Sequence, residues 1–218
     1  MLKLYGFAVS DYFNMVKHSL LEKGVEFEEV IVFPDQAEAY LAKSPMGKVP
    51  CIETEHGYLC ETSVILDYIE AEFPEKPLLP ESQWQRAKVR EVMKISELYI
   101  ELTARKLLPA MLAGAPVSDE VKAEVRALLQ KGLNSIERLA TFDPFVLGSS
   151  QTIADIVLRY SLGMAKAAAG SVLKMDVLEG RDAIKQWDDM MGKNPICQQL
   201  DADMNAQMAV FMKKVAAK

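Results

Sequence analysis

The stretches GKVPCI (residues 47–52) and ETSVIL (residues 61–66) are the most informative part of this sequence. Proline has no N–H to donate within a sheet, so Pro50 marks the place where a strand begins or bends. It also pushes Val49 toward extended geometry, which leaves the backbone of Val49 able to pair with an added peptide strand. The second stretch places a carboxylate (Glu61) and a hydroxyl (Thr62) where an apolar helical pattern begins, and the free N–H groups there favour a bound carboxylate. The two segments together predict a site for a short peptide.

The segments around these stretches predict a small α/β unit. The expected elements, by residue number, are a strand at 1–6, a helix ending at Gly24, a strand at 25–32, a helix at 35–43, strands at 51–54 and 58–60, and a helix at 61–72. The strands at 51–54 and 58–60 flank a turn and read as a hairpin. The order βαβ followed by ββα predicts a thioredoxin-like domain.

A proline-rich segment, FPEKPLLP at residues 73–80, separates two parts of the chain. Its composition halts helices and suits a short stiff linker. We therefore predict an α+β protein of two domains: a thioredoxin-like α/β domain at 1–76, a linker at 77–83 and an all-helical bundle at 84–218. The bundle is expected to contain a long helix at 82–113 that Pro109 kinks or ends, and a helix at 118–139. Further helices are expected after Thr152, Asp176 and Pro195, the first opened by a capping box from Thr152 to Asp155.

Composition excludes several classes of function. The formal net charge of −6 and the lack of a long basic run argue against a nucleic-acid binder. No apolar segment approaches the ~18 residues that predict a membrane span, and the start of the chain does not read as a secretion signal. The cysteines, Cys51, Cys60 and Cys197, are odd in number and lack zinc spacing, and the two histidines form no ligand pattern. We expect a cytoplasmic protein that binds no metal, no nucleic acid and no membrane.

With Ser10 upstream, the two opening segments resemble the glutathione-binding domain of the cytosolic glutathione S-transferases, and the resemblance covers essentially the whole chain. It implies a cis bond before Pro50. It implies that Val49, with its neighbours Lys48 and Pro50, binds the cysteinyl part of glutathione, while Glu61 and Thr62 bind the γ-glutamyl end. It further implies a homodimeric enzyme of detoxification that uses glutathione as its co-substrate.

The chemistry of this family depends on the glutathione thiolate. A thiol of pKa about 8.5 is only about 3% ionised at pH 7, so a hydroxyl that stabilises the anion is needed. Ser10, between the first strand and the first helix, matches by resemblance the serine of the serine-type branches. Its alternative role is to cap the helix. Tyr5 and Tyr12 are rival hydroxyl donors, although Tyr5 reads better as a core residue.

The electrophile is expected between the domains, where the resemblance places the loop after the first strand and the long helix from Ser82. The candidate lining residues are Phe7, Val9, Leu107 and Met111. The leading function is conjugation of glutathione to small hydrophobic electrophiles. Two alternatives stay open: peroxide reduction or dehalogenation by the same thiolate, and a non-catalytic protein that uses the fold to bind partners. The sequence lacks both the Ser-Ser-Cys signature of the isomerase branch and a Cys-x-x-Cys pair, which disfavours isomerisation and redox catalysis of that kind.

Overall fold

The computed structural model describes residues 1–216, and its Cα positions group the chain into two compact units. The first unit contains Met1–Leu78 and Pro195–Met208, and the second contains Leu79–Asn194 and the residues from Ala209 onward. The boundary after Leu78 falls inside the segment predicted as a linker. Residues 217 and 218, the end of the predicted helical domain, lie outside the described residues.

The first unit is built on a four-stranded sheet with the strand order β2-β1-β3-β4. The strands are β1 (Leu2–Gly6), β2 (Phe27–Ile31), β3 (Cys51–Thr54) and β4 (Gly57–Cys60). β1 pairs parallel with β2 and antiparallel with β3, and β3 and β4 form the expected hairpin. The thioredoxin-like fold class predicted for this part of the chain is confirmed.

Helices α1 (Asp11–Lys23), α2 (Glu38–Leu41) and α3 (Thr62–Glu72) complete this unit, together with the first part of α10 (Pro195–Ala216). The predicted helix at 35–43 was too long. The Asp35 carboxylate accepts the N–H of Ala37 at 3.0 Å, a local turn that competes with helix at this point, so α2 begins only at Glu38.

Close packing at the end of β1 fixes the path of the chain into α1. A Cβ at Gly6 would lie 2.3 Å from the Phe13 ring, so only glycine fits between this strand and α1. Phe13 in turn is almost fully buried and belongs to a core with Leu4, Ile52 and Ile65. This core holds the loop between β1 and α1 against the end of the sheet.

The second unit is helical, as predicted. Its elements are α4 (Gln83–Ile95), a π-helical turn at Ser96–Glu101, α5 (Leu102–Arg105), α6 (Leu108–Ala113), α7 (Asp119–Leu139), α8 (Ile153–Ala168), a second π-helical turn at Ala169–Leu173, and α9 (Asp182–Met191). We expected one long helix that Pro109 kinks or ends, but the helix is interrupted before Pro109 is reached. α5 ends at Arg105, and Pro109 lies in the first turn of α6, where its missing N–H costs nothing.

The start of α8 is organised by one carboxylate. The capping box predicted from Thr152 to Asp155 is present, and Asp155 Oδ2 accepts the N–H of Thr152 at 2.9 Å. Asp155 Oδ1 accepts the N–H of Val146 at 2.8 Å and the indole N–H of Trp187 at 3.0 Å. One buried side chain therefore joins a loop, α8 and α9. Over residues 1–216, no helix is long and apolar enough to cross a membrane.

Candidate functional site

The sheet register brings three of the predicted segments together at one end of the sheet, where strands β1 and β4 end and β3 begins. Tyr5 of β1 pairs with Cys51 of β3, and Cys51 pairs with Cys60 of β4. One position beyond these pairs lie Gly6, Pro50 and Glu61. The end of β1, which leads into the loop containing Ser10, is therefore adjacent to the segment before β3 and to the start of α3.

At this end of the sheet, the backbone N–H and C=O of Val49 are available for hydrogen bonds to a ligand. Within residues 1–216 its N–H and C=O form no hydrogen bond with another part of the chain. The Val49–Pro50 peptide bond is cis. The preceding carbonyl, of Lys48, is held firmly because it accepts the hydroxyls of Tyr40 at 3.0 Å and Ser44 at 2.8 Å. Val49 thus has unpaired backbone groups next to a carbonyl held by two hydroxyls, while the side chain of Lys48 is exposed.

Glu61 has a strained backbone at the start of α3. Its φ of 67° and ψ of 114° lie outside the regions that a non-glycine residue normally occupies. Such a conformation costs about 1–3 kcal/mol and persists only where the surroundings enforce it. Glu61 is exposed and makes no capping hydrogen bond with its side chain, and the next residue, Thr62, is half-buried. The side chain of Glu61 therefore does not cap the first turn of α3.

Ser10 is the N-cap of α1 and is nearly buried. Its Oγ accepts the N–H of Phe13 at 3.4 Å, so the capping role considered from the sequence is real. Capping uses a lone pair of the hydroxyl and leaves its proton available for donation. Ser10 can consequently cap α1 and still donate a hydrogen bond to a ligand at the same end of the sheet.

Two side chains hold the loop that contains Ser10, and neither is marked by a local pattern in the sequence. The N–H of Ala8 donates to Gln207 Oε1 at 3.2 Å, and the C=O of Ala8 accepts the side-chain amide of Asn14 at 2.8 Å. Asn14 belongs to α1 and Gln207 to α10. Both backbone polar groups of Ala8, two residues before Ser10, are therefore held from different helices.

A buried lysine gives α10 a second attachment to this unit. Lys17 Nζ lies 2.9 Å from Asp203 of α10 and 2.8 Å from Glu29 of β2. Burial alone would lower the pKa of Lys17, but the hydrogen bonds to Glu29 and Asp203 outweigh it and raise the pKa. Lys17 is therefore a cation that holds α10 against α1 and β2.

The rival hydroxyl of Tyr5 is already engaged. It donates a short hydrogen bond to the Glu53 carboxylate, and the side chain is buried, as expected for a core residue. Burial, followed by the bond to Glu53, raises the pKa of Tyr5, while the bond from Tyr5 holds the pKa of Glu53 below its usual range. Tyr12, the other rival, is half-buried.

The residues predicted to line an electrophile site are divided between the units. Phe7 and Val9 belong to the first unit, where Phe7 is buried and stacks on Phe33 with the ring centroids 4.5 Å apart. Leu107 and Met111 belong to the second, where Leu107 is completely buried and Met111 is half-buried. In the part of the chain that the structure describes, no group of three or more potential metal ligands is found.

Comparison with known proteins gives consistent results. The sequence profile of the glutathione S-transferase N-terminal domain matches residues 4–77. A glutathione S-transferase of Pseudomonas putida strain F1 is 46% identical, over 99% of this chain and 98% of that protein. A maleylacetoacetate isomerase of Dictyostelium discoideum is 26% identical over 71% of this chain and 75% of its own. The crystal structure of a glutathione S-transferase from Rhodospirillum rubrum F11 superposes with a TM-score of 0.76 at 26% identity, and covers 92% of this chain and 91% of its own.

Proposed function

The chain belongs to the glutathione S-transferase family of enzymes, and on that basis we propose that it conjugates the glutathione thiolate to small hydrophobic electrophiles. The observation that carries the proposal is the unpaired backbone of Val49 beside the strained start of α3. Neither feature contributes to the fold of the unit by itself. Both are accounted for by a bound peptide that pairs with Val49 and presents an ammonium and a carboxylate to Glu61 and Thr62.

The proposed binding mode uses a separate interaction for each part of glutathione. The cysteinyl amide adds to Val49 as a short extra strand, beside Lys48 and Pro50. The γ-glutamyl ammonium pairs with the Glu61 carboxylate, while its carboxylate takes the Thr62 hydroxyl and the N–H donors at the start of α3. The strain at Glu61 supports this assignment, because strained backbone concentrates at ligand-binding positions.

Ser10 is then the residue that stabilises the thiolate. Lowering the thiol pKa by about 2 units requires about 2.7 kcal/mol of preferential interaction with the anion. A hydrogen bond to an ionised group contributes about 1.5–3 kcal/mol, so a single donated hydroxyl is sufficient. The N–H groups at the start of α1 add a favourable dipole. Ser10 keeps the required proton free while its oxygen caps α1.

The remaining assignments follow the family resemblance. We propose a cytoplasmic homodimer that serves detoxification, with Phe7, Val9, Leu107 and Met111 as candidate contacts for the electrophile. Peroxide reduction or dehalogenation would use the same thiolate on a different acceptor. Some relatives in the comparison are isomerases, but this chain has Ser10-Asp11-Tyr12 where that branch carries Ser-Ser-Cys.

Calorimetric titration with glutathione tests the binding mode. We expect Glu61→Ala to weaken binding at least tenfold, because it removes the partner of the ligand's ammonium. Glu72→Ala is the matched control, since Glu72 is exposed at the other end of α3. Equal affinity of the Glu61→Ala variant and the unaltered protein would show that the peptide lies elsewhere. Conjugation of an aryl halide by the unaltered protein is expected, and complete inactivity toward a panel of electrophiles would favour the partner-binding alternative.

A further inference from the structure

Two of the cysteines face each other directly beside the candidate glutathione site. Cys51 and Cys60 are partners in the antiparallel register of β3 and β4. Cys51 follows Pro50 and Cys60 precedes Glu61, so each thiol adjoins a segment assigned to glutathione. The third cysteine, Cys197, lies buried on α10.

The geometry of the pair suits a disulfide. Directly opposed residues of antiparallel strands have Cα atoms about 4.5–5.5 Å apart, within the range of about 4.4–6.8 Å found in disulfides. The Sγ atoms of Cys51 and Cys60 lie 3.5 Å and 3.3 Å from a single atom, the carbonyl oxygen of Lys43. Both sulfurs therefore lie on the same side of this strand pair, next to one backbone oxygen. Side-chain rotation therefore brings the sulfurs together without moving the strands.

The two thiols differ in accessibility. Cys60 is partly exposed, whereas Cys51 is completely buried. Burial, followed by the neighbouring Cys60, raises the pKa of Cys51 to about 12. An external disulfide therefore meets Cys60 first, and Cys51 attacks the Cys60 sulfur only after Cys60 has formed a mixed disulfide. The raised pKa keeps Cys51 protonated at neutral pH, so Cys60 is the first nucleophile, and both the attack of Cys51 and its later expulsion are the slower steps of closure and reduction.

We propose that Cys51 and Cys60 form a reversible disulfide by exchange with glutathione disulfide. The Cys60 thiolate attacks glutathione disulfide, giving a mixed disulfide and one glutathione. Cys51 then attacks the Cys60 sulfur, the Cys60–glutathione bond breaks, and a second glutathione leaves with the proton of Cys51. Overall, two protein thiols are oxidised and one glutathione disulfide is reduced to two glutathiones. Excess glutathione reverses both steps.

The inference links the redox state of this pair to the ligand of the proposed function. Both thiols donate to the carbonyl of Lys43, and the adjacent Ser44 supports Lys48, the residue before Val49. Closing the disulfide removes both donors from that carbonyl. Only the link to glutathione binding rests on the proposed function, because the exchange reaction itself depends on the pair alone.

Intact-mass spectrometry of the folded protein after incubation with glutathione disulfide tests the proposal. We expect the unaltered protein to lose two hydrogens, Cys51→Ser to gain one glutathionyl group, and Cys60→Ser to remain unchanged. Cys197→Ser is the control and should lose two hydrogens like the unaltered protein. Addition of glutathione should restore the starting mass.

Three outcomes overturn the inference: an unaltered protein that stops at the glutathionyl adduct, a protein that does not react, and a disulfide mapped to Cys197. Bis(2-hydroxyethyl) disulfide separates this inference from the proposed function. The pair should close with that reagent even if the protein fails to bind glutathione in calorimetry. Failure to close with either disulfide, in a protein that binds glutathione, refutes the inference and leaves the binding proposal intact. Far-UV circular dichroism confirms that each variant is folded before its mass is interpreted.

Discussion

Replacing Asp155 by Ala should strongly destabilise the second unit. The carboxylate accepts hydrogen bonds from the N–H groups of Val146, Thr152 and Trp187, and also from the Thr152 hydroxyl at 3.1 Å. A methyl group in its place leaves the three N–H donors without an acceptor, while the hydroxyl can rotate to another partner. The fold of this unit therefore depends on one side chain to an unusual degree.

The expected loss of stability follows from the number of buried N–H donors that are left without an acceptor. Each buried donor left without an acceptor costs about 1–3 kcal/mol, so three donors with partial relaxation give an expected loss of about 4 kcal/mol. Domains of this size are stable by about 5–15 kcal/mol, so the Ala variant should retain only part of its stability. Asp155→Asn keeps one acceptor oxygen for Val146 and Trp187 but turns an amide toward the Thr152 N–H. Its expected cost is about 2 kcal/mol.

Urea unfolding at neutral pH, followed by tryptophan fluorescence and circular dichroism, measures these losses. Asp189→Ala is the matched control, because Asp189 is exposed on α9, and it should change stability by less than about 0.5 kcal/mol. In the Asp155→Ala background, Trp187→Phe should cost less than in the unaltered protein, since the indole donor has already lost its acceptor. If the free energy of unfolding of Asp155→Ala lies within about 1 kcal/mol of that of the unaltered protein, the hydrogen bonds of Asp155 do not stabilise the unit as proposed.

Two further predictions concern α10 and its attachment to the first unit. Gln207→Leu removes the acceptor of the Ala8 N–H, worth about 0.5–1.5 kcal/mol, so the thiol pKa of bound glutathione should rise by up to about 1 unit. Gln199→Leu, the same change at an exposed position of α10, should leave that pKa unaltered, and an equal response of both variants would contradict a role for Gln207. Lys17→Met should cost on the order of 1 kcal/mol of stability near neutral pH, because Glu29 and Asp203 are each 40% exposed and solvent screens both ion pairs. Because the folded state raises the pKa of Lys17, the stability that Lys17 contributes is complete below about pH 10.4 and is lost as the pH rises through the pKa of the folded state. The free energies of unfolding of the variant and the unaltered protein should therefore converge in urea titrations at alkaline pH.

The order of elements in the first unit was predictable because local signals mark it. Pro50 starts β3, the turn between the strands at 51–54 and 58–60 identifies the hairpin, and the apolar spacing after Thr62 identifies α3. Signals of the same local kind located the capping box at Thr152. The errors at α2 and at Pro109 concern helix ends: a local turn at Asp35 delays the start of α2, and α5 ends at Arg105, before Pro109 is reached.

The support of the candidate site was not predictable from the sequence. Ala8 and Gln207 are 199 residues apart, and no local pattern announces that α10 returns to the first unit. The strained conformation of Glu61 also has no sequence signature, since glutamate is not a residue expected at positive φ. The residues that could be named in advance are those proposed to contact glutathione, whereas the residues that hold the loop of Ser10 in place required the structure.

The pKa of the glutathione thiol in the bound state is the decisive measurement for the proposed role of Ser10. It is measured from the thiolate absorbance in the ultraviolet as the pH is raised, with the unaltered protein and with Ser10→Ala. We expect the thiol of bound glutathione to have a pKa about 2 units below that of free glutathione. In Ser10→Ala this pKa should return toward the value of free glutathione, while the affinity for glutathione is retained. A bound thiol that ionises as in free solution, or one whose lowered pKa survives the loss of the Ser10 hydroxyl, would contradict the proposed role of Ser10.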